Sequence, residues 1–314
     1  MRLSALKLLA AAVLLPFAAS AHAQDWAKTR LNASPRHSEI VTLHHGSRDL
    51  KAFVVYPEVK NKATVVILIH EIFGLSDWAK EMADELAAAG YIVVAPDLLS
   101  GSGPNGTGSE SFPTPQAAMP AVSALPADQV TADLDAAADY GKTIPASNGK
   151  TVVTGFCWGG GKSFAFATHR HDLSAAFVFY GPGPADVTTI TAPVYGFYAG
   201  NDARIGATIP ATTEAMKAAK KKYEPITYDG AGHGFMRAGE DPTAVPSGNV
   251  TAEAIAANKT ARTEAFARMT KLLKEIDAAK HTTAAVHPHK KSHTHNAKTP
   301  TVECHDMPAM HVSM

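Results

Sequence analysis

The sequence has few cysteines and no excess of charge of either sign. Its 314 residues include only two cysteines, Cys157 and Cys304, and its 29 basic residues balance 29 acidic ones. Two cysteines are too few for a scaffold held by disulfides. Balanced charge provides no basic surface of the kind that binds nucleic acid, so we expect no nucleic-acid partner.

Long apolar runs are also missing, except close to the N-terminus. Arg2 and Lys7 come first, residues 8–19 form a short apolar run, and small residues at 21 and 23 flank a cleavage point. A membrane-spanning helix needs about 20 apolar residues, so this run predicts a signal peptide over residues 1–23 rather than an anchor. We therefore expect a periplasmic or secreted protein with no membrane contact once the signal is cleaved.

The last segment, residues 281–314, has almost no large aliphatic side chains. It carries seven histidines and three methionines, together with Cys304. Such a segment cannot bury enough apolar surface to offset its ordering entropy, which predicts a disordered tail. Its side chains could bind copper, zinc or nickel weakly, and an inert solvated tail is the alternative. Residues 24–280 remain, a length that suits one large domain.

The apolar pattern between these ends predicts an α/β protein. Residues 38–44 and 50–56 alternate as an antiparallel hairpin does. Buried strands are predicted at 64–70, 91–95, 151–155, 175–180, 194–199 and 223–228. Helices are predicted at 78–89, 128–142, 159–168, 207–222 and 252–279. Residues 100–126 are rich in Gly, Ser and Pro and predict a long connection or lid. Alternating strands and helices indicate a mainly parallel central sheet with helices on both faces.

The segment from Gly155 to Gly160 carries the strongest chemical signal. It joins a predicted strand to a predicted helix, and glycines stand two positions before and after Cys157. This is the pattern of the nucleophile elbow of α/β-hydrolases. The positive end of the helix would favour the thiolate of Cys157. A structural cysteine in an ordinary glycine-rich turn is the alternative reading.

Two further residues extend this pattern into a triad. Asp202 follows the predicted strand 194–199, and His233 follows the strand 223–228. The order of nucleophile, acid and histidine is that of α/β-hydrolases, and all three would lie at the edge where open sheets bind ligands. We predict that Cys157 is the nucleophile, His233 the base and Asp202 the residue that orients the base. The backbone N–H groups of Trp158 and Ile72 are the predicted oxyanion hole.

Four short motifs resemble the dienelactone hydrolase family (carboxymethylenebutenolidases). They are the runs His-Glu-Ile-Phe-Gly-Leu at 70–75, Ala-Pro-Asp at 95–97, Gly-Phe-Cys-Trp-Gly-Gly at 155–160 and His-Gly-Phe-Met-Arg at 233–237. The resemblance implies an α/β-hydrolase fold, a small ester or lactone as substrate, and no cofactor or catalytic metal. It also implies that Glu71 accepts the thiol proton when substrate arrives and that Arg237 binds a substrate carboxylate.

The sequence departs from that family at one place. The family often supplies a second arginine for the substrate carboxylate from the loop after the Ala-Pro-Asp strand. Between Lys80 and Lys142 this chain has neither Lys nor Arg. We therefore expect neutral esters or lactones to be accepted about as well as acidic ones, and Arg204 is the first candidate for a replacement cation.

A second function from another class competes with hydrolysis. The hydrolase domain could be a catalytically silent scaffold of a secreted metal-binding protein that uses the His/Met-rich tail. A fold alone does not decide between the two. The complete set of Cys157, His233, Asp202 and Glu71 favours the enzyme, because a scaffold has no need of all four residues.

Overall fold

The computed structural model describes residues 25–248 and 250–279. The predicted signal peptide at 1–23, the predicted tail at 281–314 and Cys304 lie outside these residues. The predicted limits of the domain, 24–280, therefore stay a prediction.

Eight strands in the described residues form one sheet. They are β1 (Ser38–His45), β2 (Arg48–Val55), β3 (Ala63–Ile69), β4 (Ile92–Pro96), β5 (Ser147–Phe156), β6 (Ala175–Phe179), β7 (Val194–Ala199) and β8 (Tyr223–Tyr228). Their order across the sheet is β1-β2-β4-β3-β5-β6-β7-β8. β2 runs antiparallel to β1 and to β4, and every other neighbouring pair is parallel. The carboxyl ends of β3 to β8 therefore meet at one edge.

Helices connect these strands. They are α1 (Asp25–Ala33), α2 (Asp77–Ala88), α3 (Met119–Ser123), α4 (Ala127–Thr143), α5 (Trp158–His169), α6 (Ala203–Gly206), α7 (Ile209–Ala218), α8 (Phe235–Ala238) and α9 (Ala252–Ala278). None of the helices in residues 25–248 and 250–279 combines the length and the apolar character needed to cross a bilayer.

The hydrophobic core lies on both faces of the sheet. On one face, Trp78 of α2 and Met269 of α9 pack with aromatic residues of β5 and β6. On the other face, Leu134 of α4 and Phe164 of α5 pack against β-branched residues of β3 and β5. Every residue of β3 is buried, because helices cover both of its sides. The predicted fold, a mainly parallel sheet wrapped on both faces, is confirmed.

The helix predicted over residues 207–222 is present but shorter. It is α7, Ile209–Ala218, and residues 219–222 are not helical. Pro210 has no N–H to donate and therefore fits in the first turn of a helix, which is where α7 places it. Lys220 has a φ of +56°, a conformation that ends a helix. The helices α1, α3, α6 and α8 were not predicted.

The predicted lid is tied to the sheet by Asp97, one residue beyond β4. Its carboxylate accepts hydrogen bonds from Ser109 N (2.7 Å) and Ser109 Oγ (2.5 Å). Leu75 N in turn donates to Ser109 Oγ at 2.9 Å. Three short 3₁₀ turns, Pro104–Gly106, Ser109–Ser111 and Pro115–Ala118, precede α3. The connection is thus anchored beside the carboxyl ends of β3 and β4.

Three glutamates and two arginines form an ion-pair cluster between α1, α2, α8 and α9. The carboxylate oxygens of Glu81, Glu85 and Glu240 lie within 4.8 Å of one another, a spacing that could hold a metal ion. Arg30 donates to Glu81 and Glu240, and Arg262 donates to Glu85 and Glu240. Because guanidinium groups occupy these carboxylates, we interpret the cluster as a structural link between helices.

The cluster makes stability depend on pH through Glu81. Burial, reinforced by the negative charges of Glu240 and Glu85, raises the pKa of Glu81 from 4.5 to about 8. The folded protein therefore retains a proton on Glu81 that the unfolded chain releases above pH 4.5. Linkage then lowers the free energy of unfolding as pH rises between these two values.

We expect Glu81→Gln to raise the free energy of unfolding by more at pH 8 than at pH 5. The difference between the two effects should be on the order of 1 kcal/mol or more. Glutamine keeps the oxygen that accepts from Arg30 but carries no charge. Urea unfolding of both proteins at the two pH values measures the difference. Glu214→Gln, at an exposed position of α7, is the control and should show no such pH dependence. An equal effect of Glu81→Gln at both pH values would contradict the prediction.

Candidate active site

Cys157 occupies a strained turn between β5 and α5. Its φ is +57° and its ψ is −118°, which is unfavourable for a residue with a side chain. The turn is so tight that a Cβ on Gly155 would lie 2.0 Å from the carbonyl oxygen of Gly159. A Cβ on Gly159 would lie 2.3 Å from the carbonyl oxygen of His70. Both glycines are therefore needed for this turn, as the sequence pattern predicted.

The structure brings the three predicted triad residues together. His233 Nε2 lies 3.0 Å from Cys157 Sγ, and His233 Nδ1 lies 2.5 Å from Asp202 Oδ2. Asp202 is buried just beyond β7, and its Oδ1 accepts a hydrogen bond from Ile205 N at 3.3 Å. Since a carboxylate only accepts, the proton of a neutral His233 lies on Nδ1, and Nε2 faces the sulfur as an acceptor.

Glu71 and Arg237, which the family resemblance singled out, form a pair beside the thiol. Arg237 Nε donates to Glu71 Oε2 at 3.1 Å. Tyr180 Oη donates to Glu71 Oε1 at 3.4 Å, and the Arg237 guanidinium lies 5.3 Å above the ring of Phe73. Glu71 is buried, so its charge is stabilised by this arginine. Arg237 is thus already occupied by an anion of the protein itself.

The environment of Cys157 raises the pKa of its thiol. Burial is the largest cause, and the negative charge of Glu71 comes next. Hydrogen bonds from the backbone amides of Trp158 and Ile72, and the positive charge of Arg204, act in the opposite direction. We expected the start of α5 to favour the thiolate. That contribution is present, but burial and the charge of Glu71 outweigh it. In the resting site the thiol is protonated.

A cavity of about 500 Å³ opens at Cys157. Its walls are mostly apolar and include both residues of the predicted oxyanion hole, Ile72 and Trp158. Among the residues of 25–248 and 250–279 that form its walls, the charged ones are Lys162 and Arg204. The Lys162 ammonium lies 5.1 Å from the centre of the Trp158 ring, a cation–π contact. The cavity therefore suits a small, largely apolar molecule and carries positive charge.

Two residues of this site were not singled out by sequence reasoning. Tyr180 directly follows β6, is fully buried with a φ of +39°, and its ring meets that of His233 edge-on at 5.0 Å. Lys162 lies in the second turn of α5. The rule that ligands bind at the carboxyl ends of parallel strands could have identified Tyr180. No sequence signal distinguishes Lys162 from an ordinary surface lysine.

The chain is similar to several known proteins. The model of the dienelactone hydrolase family matches residues 50–277. A protein of Salmonella typhi, provisionally named a carboxymethylenebutenolidase, is 33% identical over 202 residues, which are 60% of this chain and 73% of that protein. A protein of Methylorubrum extorquens with the same provisional name is 33% identical over 200 residues, 59% of this chain and 68% of that protein.

The fold is also similar to that of a solved structure. The crystal structure of a provisionally assigned dienelactone hydrolase from Klebsiella pneumoniae superposes with a TM-score of 0.63 and 25% sequence identity. The superposition covers 76% of this chain and 99% of that protein. The eight-stranded sheet and its helices are therefore those of an α/β-hydrolase.

The raised pKa of the Cys157 thiol leads to a test that needs no substrate. We expect the rate of alkylation of Cys157 by iodoacetamide to rise with pH along a curve whose midpoint lies above the ordinary thiol value. In Glu71→Gln the midpoint should move to lower pH, because a negative charge beside the sulfur is removed and Arg237 loses its partner. Mass spectrometry of the Cys157 peptide measures the rate. Glu214→Gln should leave the curve unchanged, and an unchanged curve in Glu71→Gln would contradict the prediction.

Proposed function

The chain belongs to the dienelactone hydrolase family, and from this membership we propose that it hydrolyses small carboxylic esters or lactones with Cys157 as the nucleophile. The observation that carries the proposal is the continuous contact from Cys157 Sγ through the imidazole of His233 to Asp202, at distances of 3.0 and 2.5 Å. A nucleophile, a base within reach and a third group that orients the base are what covalent acyl transfer requires.

In the first step, Glu71 accepts the proton of the Cys157 thiol when substrate enters. Two observations support this role. Glu71 lies close enough to raise the pKa of the thiol, and its own charge is held by Arg237 in the resting site. A protonated thiol is a weak nucleophile, so the proton transfer confines reactivity to the time when substrate is bound.

In acylation, the Cys157 thiolate attacks the carbonyl carbon and forms a tetrahedral oxyanion. The backbone N–H groups of Ile72 and Trp158 are the proposed donors to that oxyanion, each worth a few kcal/mol in such sites. The bond between the carbonyl carbon and the leaving oxygen then breaks. The leaving alkoxide takes the proton from Glu71, and a thioester on Cys157 remains.

In deacylation, a water molecule enters after the alcohol has left and attacks the thioester. His233 Nε2 removes a proton from the water, whose oxygen attacks the thioester, and Asp202 stabilises the imidazolium that forms. The carbon–sulfur bond breaks to release the acid. His233 then returns the proton to the Cys157 sulfur, which restores the resting thiol.

We also propose that the protein works in the periplasm or outside the cell. The support is the sequence pattern of residues 1–23, a positively charged start followed by a short apolar run and small residues. Weak metal binding by the His/Met-rich tail stays a separate prediction that the proposed hydrolysis does not require.

We expect Cys157→Ala to abolish hydrolysis of a chromogenic ester such as p-nitrophenyl acetate while leaving the circular dichroism spectrum unchanged. Without the sulfur no thioester can form, so the background rate of the ester should be all that is left. Cys304→Ala in the full chain is the matched control and should retain activity. Undiminished turnover by Cys157→Ala would refute the mechanism. A folded wild-type protein that is inactive on esters and lactones would instead favour the silent scaffold with a metal-binding tail.

The charge of the cavity bears on which esters are preferred. The sequence led us to expect indifference to substrate charge, because the family's second arginine is missing. Lys162 and Arg204 nevertheless line the cavity at Cys157, and no carboxylate from the described part of the chain lines it. A substrate with an anionic group would therefore find two cations near the nucleophile. We propose a moderate preference for anionic esters, smaller than a buried bidentate clamp would give.

We expect kcat/KM for an ester with an ω-carboxylate to exceed that of its neutral analogue by roughly twofold to thirtyfold, since each of the two solvent-exposed ion pairs contributes about 0.2–1 kcal/mol. The double variant Lys162→Met and Arg204→Ala should lose this preference, so that its kcat/KM values for the anionic and the neutral ester become equal. The double variant Lys217→Met and Lys271→Met removes equal charge from the exposed surface and should keep the preference. Equal rates for both esters with the wild type would restore the expectation from the sequence.

A further inference from the structure

His70 touches both halves of the proposed oxyanion hole. It stands directly after β3, and its side chain is fully buried. Its Nδ1 lies 2.7 Å from the carbonyl oxygen of Glu71. Its ring stacks on the indole of Trp158, with centres 5.6 Å apart and planes 9° apart. One imidazole thus contacts the loop that contains Ile72 and the side chain of Trp158.

The partners of His70 define its protonation. Burial lowers the pKa of His70, so the imidazole is neutral and carries a single proton. A backbone carbonyl can only accept a hydrogen bond, so that proton lies on Nδ1 and is donated to the oxygen of Glu71. Nε2 is then a bare acceptor, and it meets no hydrogen-bond partner in residues 25–248 and 250–279. A proton on Nε2 would instead bury an unsatisfied donor.

The carbonyl that His70 binds belongs to the same peptide unit as the Ile72 N–H. Because that unit is planar and trans, its C=O and N–H point in opposite directions. A donor that holds the Glu71 oxygen on the side of His70 therefore holds the Ile72 N–H on the side of the cavity. Ile72 and Cys157 line this cavity together, and the backbone amide of Ile72 is one of the groups that lower the pKa of the Cys157 thiol. A carbonyl that accepts a hydrogen bond also polarises its own N–H as a donor.

A second donor shares the same oxygen. Gly74 N–H donates to the Glu71 carbonyl at 3.2 Å, as part of a turn in which Gly74 has a φ of +73°. The two donors use both lone pairs of the oxygen, and the bond from His70 is the shorter one. Loss of His70 should therefore weaken the orientation of the peptide unit without unfolding the loop.

The other half of the hole is held through packing. Trp158 supplies the second predicted N–H, and its indole lies flat against the imidazole of His70. The backbones meet as well, since a Cβ on Gly159 would lie 2.3 Å from the His70 carbonyl oxygen. His70 thus sits between the end of β3 and the start of α5, the two elements that present the donors.

We propose that His70 is a positioning residue of the oxyanion hole: its Nδ1–H fixes the Glu71–Ile72 peptide unit so that the Ile72 N–H faces the developing oxyanion, and its ring supports Trp158. The proposal rests on the proposed hydrolysis for its catalytic meaning. The positioning itself can be tested without hydrolysis, because the same N–H acts on the Cys157 sulfur.

Two substitutions separate the hydrogen bond from the packing. In His70→Asn, the side-chain amide can place an N–H where Nδ1 was, but the side chain is smaller than imidazole. In His70→Leu, the side chain fills more of the space but donates nothing. If the donor matters, Asn should be the better replacement, and if only packing matters, Leu should be.

We expect His70→Leu to lower kcat for p-nitrophenyl acetate about tenfold to a hundredfold, with KM within about threefold of wild type. The upper limit only reaches the low end of the 10²–10³ typical of a deleted oxyanion-hole donor, because the Ile72 N–H is misaligned rather than removed. His70→Asn should stay within about fivefold of the wild-type kcat. A trifluoromethyl ketone, which forms an oxyanion with the thiol, should lose affinity for His70→Leu in parallel with kcat/KM.

The readout without hydrolysis is the pH dependence of alkylation of Cys157 by iodoacetamide. His70→Leu should move the midpoint to higher pH than in wild type and in His70→Asn, because the thiolate loses a well-aligned donor. Wild-type kinetics and titration in folded His70→Leu would overturn the proposal, as would equal loss of kcat in both variants. If the wild type hydrolyses no ester, the proposed function fails, and the order of the alkylation midpoints still decides the role of His70.

Discussion

The close contact between the start of α5 and the ends of β3 and β5 is the constraint on which the site depends. A Cβ at Gly155 or Gly159 would overlap backbone atoms, so these elements approach at a distance that only glycine permits. That approach forces Cys157 to a φ of +57° and points its sulfur away from the sheet. It also brings the amide of Trp158 next to the loop after β3. The proposed nucleophile and the proposed oxyanion-hole donors thus depend on the same backbone contact.

Electrostatic interactions decide whether Cys157 or Glu71 carries the proton in the resting site. The site holds a buried carboxylate, Glu71, beside a thiol, and the two cannot both be charged at low cost. Arg237 pairs with the carboxylate, which leaves the proton on Cys157. The amides that favour a thiolate are present but are outweighed by burial and by Glu71. This resting state agrees with the proposed mechanism, in which the Cys157 thiolate forms only when substrate is bound.

The sequence predicted the parts of this molecule that depend on local pattern. The β-branched run that became β3, the glycines around Cys157 and the positions of Asp202 and His233 after their strands are all local, and each was predicted. The helix that became α7 was predicted too long because periodicity was given more weight than Pro210. The pairing of Arg237 with Glu71 joins residues 166 positions apart. The presence of Lys162 in the cavity and the sign of the thiol pKa shift likewise depend on three-dimensional packing, which no local pattern contains.

The cations that line the cavity are different from the cation that pairs with Glu71. Arg237 lies in an ion pair with Glu71 and does not line the cavity at Cys157, whereas Lys162 and Arg204 do. An anion that binds Lys162 and Arg204 leaves the Arg237–Glu71 pair intact, and one that binds Arg237 competes with Glu71 for the same guanidinium. In the proposed mechanism, only the second kind of contact would free Glu71 to take the thiol proton. An anionic group near Lys162 should therefore act mainly through binding, and the proposed proton transfer should depend on the part of the substrate that reaches Arg237.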